Sequence, residues 1–121
     1  MGHPVVHFEI GGGDNDKSVA FYKDLFDWEI EAMPAMGYNM VKAPNGTGIA
    51  GGIHNVVERG MQPFVTFYVE VEDISAALAK AEGLGGTTVM PRTEIPNGPV
   101  VGMFTDPDGL AIGLLEPMQG G

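Results

Sequence analysis

Residues 5–27 run Val5-Val6-His7-Phe8-Glu9-Ile10, then Gly11-Gly12-Gly13, then Asp14-Asn15-Asp16-Lys17-Ser18-Val19-Ala20-Phe21-Tyr22-Lys23-Asp24-Leu25-Phe26-Asp27. The first six favour β structure and meet three glycines, so they read as a strand and its stop. Asp14, Asn15 and Asp16 then offer N-cap oxygens. Val19, Tyr22 and Phe26, flanked by Phe21 and Leu25, set an apolar stripe at helical spacing. The same order returns from Phe64. Phe64 to Val71 is rich in Val, Thr, Tyr and Phe, which suit a pleated half-buried surface. Asp73 caps a second helix in which Ile74, Ala77, Leu78 and Ala81 fall at i, i+3, i+4 and i+7, and Gly83 to Gly86 ends it.

Outward from these two strand–helix pairs, each half continues with three more strands. In the first half they are Trp28 to Met33, Tyr38 to Lys42 and Gly48 to Val56, the last two separated by the turn-forming Pro44-Asn45-Gly46. In the second they are Thr87 to Met90, Val100 to Thr105 and Leu110 to Leu115, the last two joined by Asp106-Pro107-Asp108-Gly109. Met-Pro recurs after the first post-helix strand, at Met33-Pro34 and Met90-Pro91. The reading is an internal repeat. It predicts an α+β fold of two tandem βαβββ modules, residues 1–57 and 64–121 joined by a linker at 58–63, whose curved mixed sheets enclose a cleft with the helices outside.

Composition bounds the chemistry. A length of 121 residues is one domain's worth of sequence, and 44% hydrophobic content is enough for a packed core. No cysteine is present, so disulfide scaffolds, zinc fingers, iron–sulfur sites and thiol nucleophiles are excluded. Sixteen acidic residues against six basic ones give a formal charge of −10. That balance argues against nucleic acid and against acidic membrane surfaces, both of which need Lys and Arg. No apolar run approaches the roughly 18 residues of a membrane span, and Met1-Gly2-His3-Pro4 lacks the layout of a signal peptide, so the expected location is the cytoplasm. Nineteen glycines are the oddity of composition; most of them punctuate turns.

His7-Phe8-Glu9-Ile10, Ala20-Phe21-Tyr22 with Leu25-Phe26-Asp27-Trp28, Gly51-Gly52-Ile53, Val71-Glu72-Asp73-Ile74, Gly85-Gly86 and Phe104-Thr105-Asp106-Pro107-Asp108-Gly109 resemble the vicinal-oxygen-chelate superfamily. That superfamily includes glyoxalase I, bleomycin-resistance proteins, fosfomycin-resistance enzymes and extradiol dioxygenases, and the similarity covers essentially the whole chain. The Gly-Gly-Ile strand and the Gly113-Leu114-Leu115 ending look most like small glyoxalase-related proteins whose substrates are largely undefined. The resemblance implies up to four His, Glu or Gln ligands around one divalent ion, on the first and fourth strands of each half. Carried onto this chain they fall on His7, on Gly51 or Gly52, on Thr66 and on Gly113. Only His7 is a good donor, and a catalytic ion needs at least three protein ligands. The expectation is therefore no metal cofactor. Strand alternation leaves one alternative divalent site, His7, Glu9 and His54. The resemblance also implies a homodimer.

Without a metal, His7 is the candidate for acid–base work, with Glu9 on the same face expected to raise its pKa and hold it protonated. The alternative is a hydrogen-bonded His7 that only lines the site. Alternation from His7, Thr66 and Gly113 brings in Val5, Glu9, Phe64, Tyr68, Ala111 and Leu115, and Met40 and Met103 add adaptable contacts. The expected ligand-binding set is His7, Glu9, Met40, Thr66, Tyr68, Met103 and Leu115, with His7 and Glu9 also the catalytic candidates. Such an aromatic and apolar lining suits a small apolar or aromatic molecule. The expected function is glyoxalase/bleomycin-resistance-like binding of such a ligand. The alternative is a lyase or isomerase resembling glyoxalase I, with an altered metal site or with His7 as acid–base catalyst.

Overall fold

The computed structural model describes residues 2–34 and 37–117. The chain divides into two compact units, His7–Thr66 and Phe67–Gly121 with Met1–Val6. The N-terminal residues join the later unit because the Glu70 N–H donates to the Pro4 carbonyl at 2.9 Å. The strands and helices are β1 (Val5–Gly12), α1 (Asn15–Phe26), β2 (Ile30–Met33), β3 (Tyr38–Val41), β4 (Ala50–Asn55), β5 (Phe64–Glu70), α2 (Ile74–Gly83), β6 (Thr87–Glu94), β7 (Val100–Thr105) and β8 (Ala111–Leu115). The order strand, helix, strand, strand, strand occurs twice, so the fold is the α+β pair of βαβββ modules that the sequence predicts.

In the first unit the strands lie in the order β2-β3-β4-β1, with β1 and β4 parallel and the other pairs antiparallel. Register assigns the two faces. Glu9, Gly52 and Met40 share one row, and Gly11, His54 and Tyr38 share the next on the same face. Phe8, Gly51 and Val41 belong to the opposite face, where the Phe8 ring lies 5.4 Å from Trp28, and Trp28 in turn stacks on Tyr22 of α1 at 5.6 Å. Gly51 is needed there, because a Cβ would overlap the Phe8 ring. Asp14 caps α1, its carboxylate accepting from the Lys17 N–H at 3.1 Å. The apolar stripe of α1 packs less deeply than its periodicity implies. No residue of the helix is buried, and Phe21 and Leu25 are 59% and 57% exposed.

The second unit repeats the plan, β5-β8-β7-β6, with β5 and β8 parallel. Val71, Ile74, Leu78 and Leu114 form its core, with Val69, Ala77, Val100 and Phe104 packed around them. Gly102 lets α2 approach, since a Cβ there would meet Ile74 Cγ2 at 2.6 Å. Asp73 caps α2 through the Ala76 N–H at 3.0 Å, and Glu116 accepts from the Ile74 N–H at 2.9 Å while Arg92 grips it with two nitrogens at 2.8 and 3.0 Å. The strand expected to stop at Met90 runs on to Glu94. Pro91 is tolerated inside it because β6 is an edge strand and its register with β7 shifts on either side of Met90. Asp106 closes the last turn, accepting from the N–H groups of Asp108 and Leu110 at 2.9 Å each.

Candidate functional site

Four side chains converge on one face of the first unit. His7 and Glu9 come from β1, Tyr38 from β3 and His54 from β4. Arg59 reaches them from the 3-10 turn Val57–Arg59 that follows β4. His7 Nε2 and the Tyr38 hydroxyl share a hydrogen bond of 2.9 Å, and the Tyr38 ring centroid lies 5.5 Å from that of His54. His54 also meets the Phe64 ring edge-on at 6.2 Å. On the α1 side of the sheet, away from this cluster, a recess of about 430 Å³ is lined by Ile10, Gly11, Gly12, Ser18, Tyr22, Pro63, Phe64 and Val65.

The protons in this cluster follow from donor chemistry. An Arg guanidinium only donates. Its Nη2 lies 2.5 Å from His54 Nδ1, so Nδ1 is the acceptor and the ring proton sits on Nε2. That Nε2 is 3.2 Å from Glu9 Oε2, close enough for attraction but too poorly aligned for a hydrogen bond, and it is buried with no hydrogen-bond acceptor among the described residues. Burial pushes the Tyr38 phenol well above its ordinary range, and the negative charge of Glu9 pushes it further, so it stays protonated. It therefore donates to His7 Nε2, and the neutral His7 ring carries its proton on Nδ1. The expectation that Glu9 holds His7 protonated is corrected here. Burial lowers the His7 pKa below its ordinary 6.5 and outweighs the opposing pull of Glu9.

The glycines of the ligand positions now have a physical reason. A Cβ on Gly52 would overlap the Tyr38 phenol, and a Cβ on Gly113 would overlap the Tyr68 ring. Each glycine accommodates an aromatic ring from a neighbouring strand, an arrangement that covers a bare strand backbone. At Gly52 the phenol occupies the space where a fourth-strand ligand side chain would begin, and it engages the Nε2 of His7. Thr66, buried on β5, carries no nitrogen or carboxylate donor. Among the described residues, no three of His, Cys, Asp and Glu form a group that could hold a metal ion. His7, Glu9 and His54 share one face, but they do not form such a group, and the Nε2 of His7 is engaged by the Tyr38 hydroxyl.

Of the remaining expected residues, Met40 sits on the same face in register with Gly52. Tyr68, Gly113 and Met103 form one row across β5, β8 and β7 of the second unit, just as Glu9, Gly52 and Met40 do in the first, and Leu115 lies two residues beyond Gly113 on that face. Sequence reasoning did not single out Tyr38 or Arg59. Tyr38 had a signal, being two residues from Met40 on a strand opposite Gly52; Arg59 had none, because its place depends on the turn.

A twice-repeated βαβββ unit, with a histidine on β1 and glycines on the fourth strand of each half, defines the class of fold. The family model of the Glyoxalase/Bleomycin resistance protein/Dioxygenase superfamily matches residues 5–114, and the chain belongs to that superfamily. It is 31% identical over 109 residues to CFP32 of Mycobacterium bovis, which bears a provisional glyoxylase name, covering 85% of this chain and 41% of that protein. The chain thus spans less than half the length of that relative. A glyoxylase-like domain-containing protein of Didymella fabae is 26% identical over 107 residues, with 84% of each chain covered. Among solved structures, hypothetical protein BH1468 from Bacillus halodurans superposes with a TM-score of 0.70 at 11% identity, over 100% of this chain and 99% of its own, a likeness of fold.

Proposed function

We propose that this chain binds a small apolar or aromatic molecule at the His7–Tyr38–His54 cluster, beside Phe64, without a metal ion. The observation that carries the reading is the Tyr38 phenol lying over Gly52 with its hydroxyl on His7 Nε2. It turns the one good inherited donor inward and fills the neighbouring ligand position. Tyr38, His54 and Phe64 offer aromatic surface for stacking, their ring centroids successively 5.5 and 6.2 Å apart across the cluster. Calorimetric titration with small neutral aromatics such as benzamide and naphthol tests it. Saturable binding that needs no divalent ion and weakens in Phe64→Ala supports the reading; no saturable binding by any aromatic tried, or binding only with added metal, overturns it.

A second reading, a lyase or isomerase, draws on one specific feature. Burial keeps His7 neutral near pH 7, the form a general base requires. Exchange of a carbon-bound proton for deuterium in carbonyl compounds, lost in His7→Gln, favours it. Exchange that persists in that variant rules His7 out as the base. The homodimer draws on the apolar surface that Phe21 and Leu25 leave exposed on α1, and sedimentation showing only monomer at micromolar concentration counts against it.

A further inference from the structure

We infer that the second unit holds a binding site for a small aromatic ammonium ion, in a cavity on the α2 side of β5 and β8. It is independent of the His7–Tyr38–His54 cluster, since every residue involved belongs to the unit formed by Phe67–Gly121 with Met1–Val6.

The two halves of the repeat correspond residue by residue. The rows Glu9–Gly52–Met40 and Tyr68–Gly113–Met103 match, and so do the helix caps Asp14 and Asp73. Counting from these, Ile10, Gly12, Ser18 and Tyr22 correspond to Val69, Val71, Ala77 and Ala81. The first four line the recess of about 430 Å³ beside α1, and the second four line a cavity of about 870 Å³ beside α2. The place in the unit is the same, and the volume is about doubled. In the first unit the Tyr22 ring stacks on Trp28 at 5.6 Å and Trp28 meets Phe8 at 5.4 Å, so the chain's own rings fill the layer between helix and sheet. In the second unit an alanine stands at the Tyr22 position. Ala77 and Ala81, with Val69, Phe104 and Leu114, bound an apolar space there, and Leu84, which also lines it, is 72% exposed.

Charge selects the other end of the ligand. Glu72, Asp73 and Asp106 line the same cavity, and Lys80 is the one lysine or arginine among the described residues that do so. Asp73 uses Oδ1 to accept from the Ala76 N–H, and Asp106 uses Oδ1 to accept from the N–H groups of Asp108 and Leu110, which holds both carboxylates in place. Neither Oδ2 has a hydrogen bond or ion pair among the described residues, and Glu72 is exposed. An ammonium group suits this edge, since it donates in three directions and carries the opposite charge, whereas a carboxylate would be repelled. A second copy of the chain is the poorer occupant. At a formal charge of −10, two copies meeting through this face would bring like-charged rims together. An indole-sized body with a short ammonium arm matches both parts, its ring standing where the first unit places Tyr22 and its charge meeting the carboxylates.

Tryptamine, tryptophol and indole-3-acetate share the indole body and differ in the charge of the arm. Calorimetric titration of the full chain at low salt is expected to show tryptamine binding about tenfold more tightly than tryptophol, because a hydrogen bond between ionised partners is roughly twice as strong as a neutral one. Indole-3-acetate should bind most weakly, and raising the salt should narrow the differences. Ala81→Tyr, which supplies the ring that the first unit already has, should abolish tryptamine binding. The triple variant Glu72→Gln, Asp73→Asn and Asp106→Asn keeps the cap and turn acceptors and should bring tryptamine to within about twofold of tryptophol, so the test stays decisive if Ala81→Tyr fails to fold. Tryptophol or indole-3-acetate binding the unaltered chain as tightly as tryptamine, or an undiminished preference in the folded triple variant, overturns the ammonium assignment. Undiminished tryptamine binding in folded Ala81→Tyr overturns the site. Absence of saturable tryptamine binding overturns both, and a dimer of the unaltered chain that Ala81→Tyr disperses would then assign this face to a second copy.

Discussion

Adding one methyl group at Gly52 should be far more damaging than its position on a half-open sheet suggests. The backbone of Gly52 is not in the left-handed region, so alanine is conformationally acceptable there; the obstacle is the Tyr38 phenol, whose Oη, Cζ and Cε2 are the nearest atoms to the new Cβ. The ring must move, which costs about 1–3 kcal/mol for overpacking. Moving it also breaks the 2.9 Å hydrogen bond to His7 Nε2, worth about 1 kcal/mol. Gly52→Ala is therefore expected to destabilise the chain by about 2–4 kcal/mol, a fall in Tm of about 8–16 °C at the ~4 °C per kcal/mol typical of this size. In a Tyr38→Ala background the same change should be neutral or stabilising by about 0.5 kcal/mol, because Ala suits a strand better than Gly once the space is open. Urea unfolding of the four chains of this double-mutant cycle measures the coupling. A fully tolerated Gly52→Ala, or costs that simply add in the double variant, would refute the packing of Tyr38 on Gly52.

Three further outcomes follow from the geometry. Because the His7 pKa is lowered on folding, the unfolded chain binds more protons as pH falls below 6.5; stability should be complete above that value and decline through the interval beneath it, and urea midpoints at pH 7.5 and 5.5 should differ less in His7→Gln than in the parent. Glu116 is held below the usual carboxylate range first by the Arg92 hydrogen bond and then by the Ile74 N–H, so its contribution is present above pH 4.5 and lost as pH falls through its folded value; Glu116→Gln should remove that acid-side loss and speed amide exchange at Ile74. Asp73→Ala removes the cap on the Ala76 N–H and should cost about 1 kcal/mol in thermal unfolding, whereas an unchanged midpoint would show that α2 does not depend on it.

The repeat was legible because its punctuation is local. Gly11 to Gly13, the Asp14 and Asp73 caps and the Asp106-Pro107-Asp108-Gly109 turn each act through neighbouring backbone, and the elements begin and end where those residues place them. Trp28 shows where local reading stops: alternation assigned it to a strand, but its ring is drawn into the cluster of Phe8, Tyr22 and Phe26, and β2 begins only at Ile30. The site divides in the same way. His7, Glu9 and His54 share a face by alternation alone. Tyr38 enters only through the pairing of β3 with β4, and the tautomer of His54 only through a turn residue five positions on. The reversal at His7 is one of magnitude, since its charged neighbour was visible in sequence and the depth of its burial was not.

The proposed metal-free site requires that Tyr38, lying over Gly52, leaves no room for a fourth-strand metal ligand. Metal analysis of the purified chain after dialysis against zinc, nickel, manganese and iron(II) tests it most directly. The predicted result is far less than one equivalent of any ion, with no shift in Tm on adding them. One divalent ion per chain, retained through dialysis and lost in His7→Ala, would contradict it.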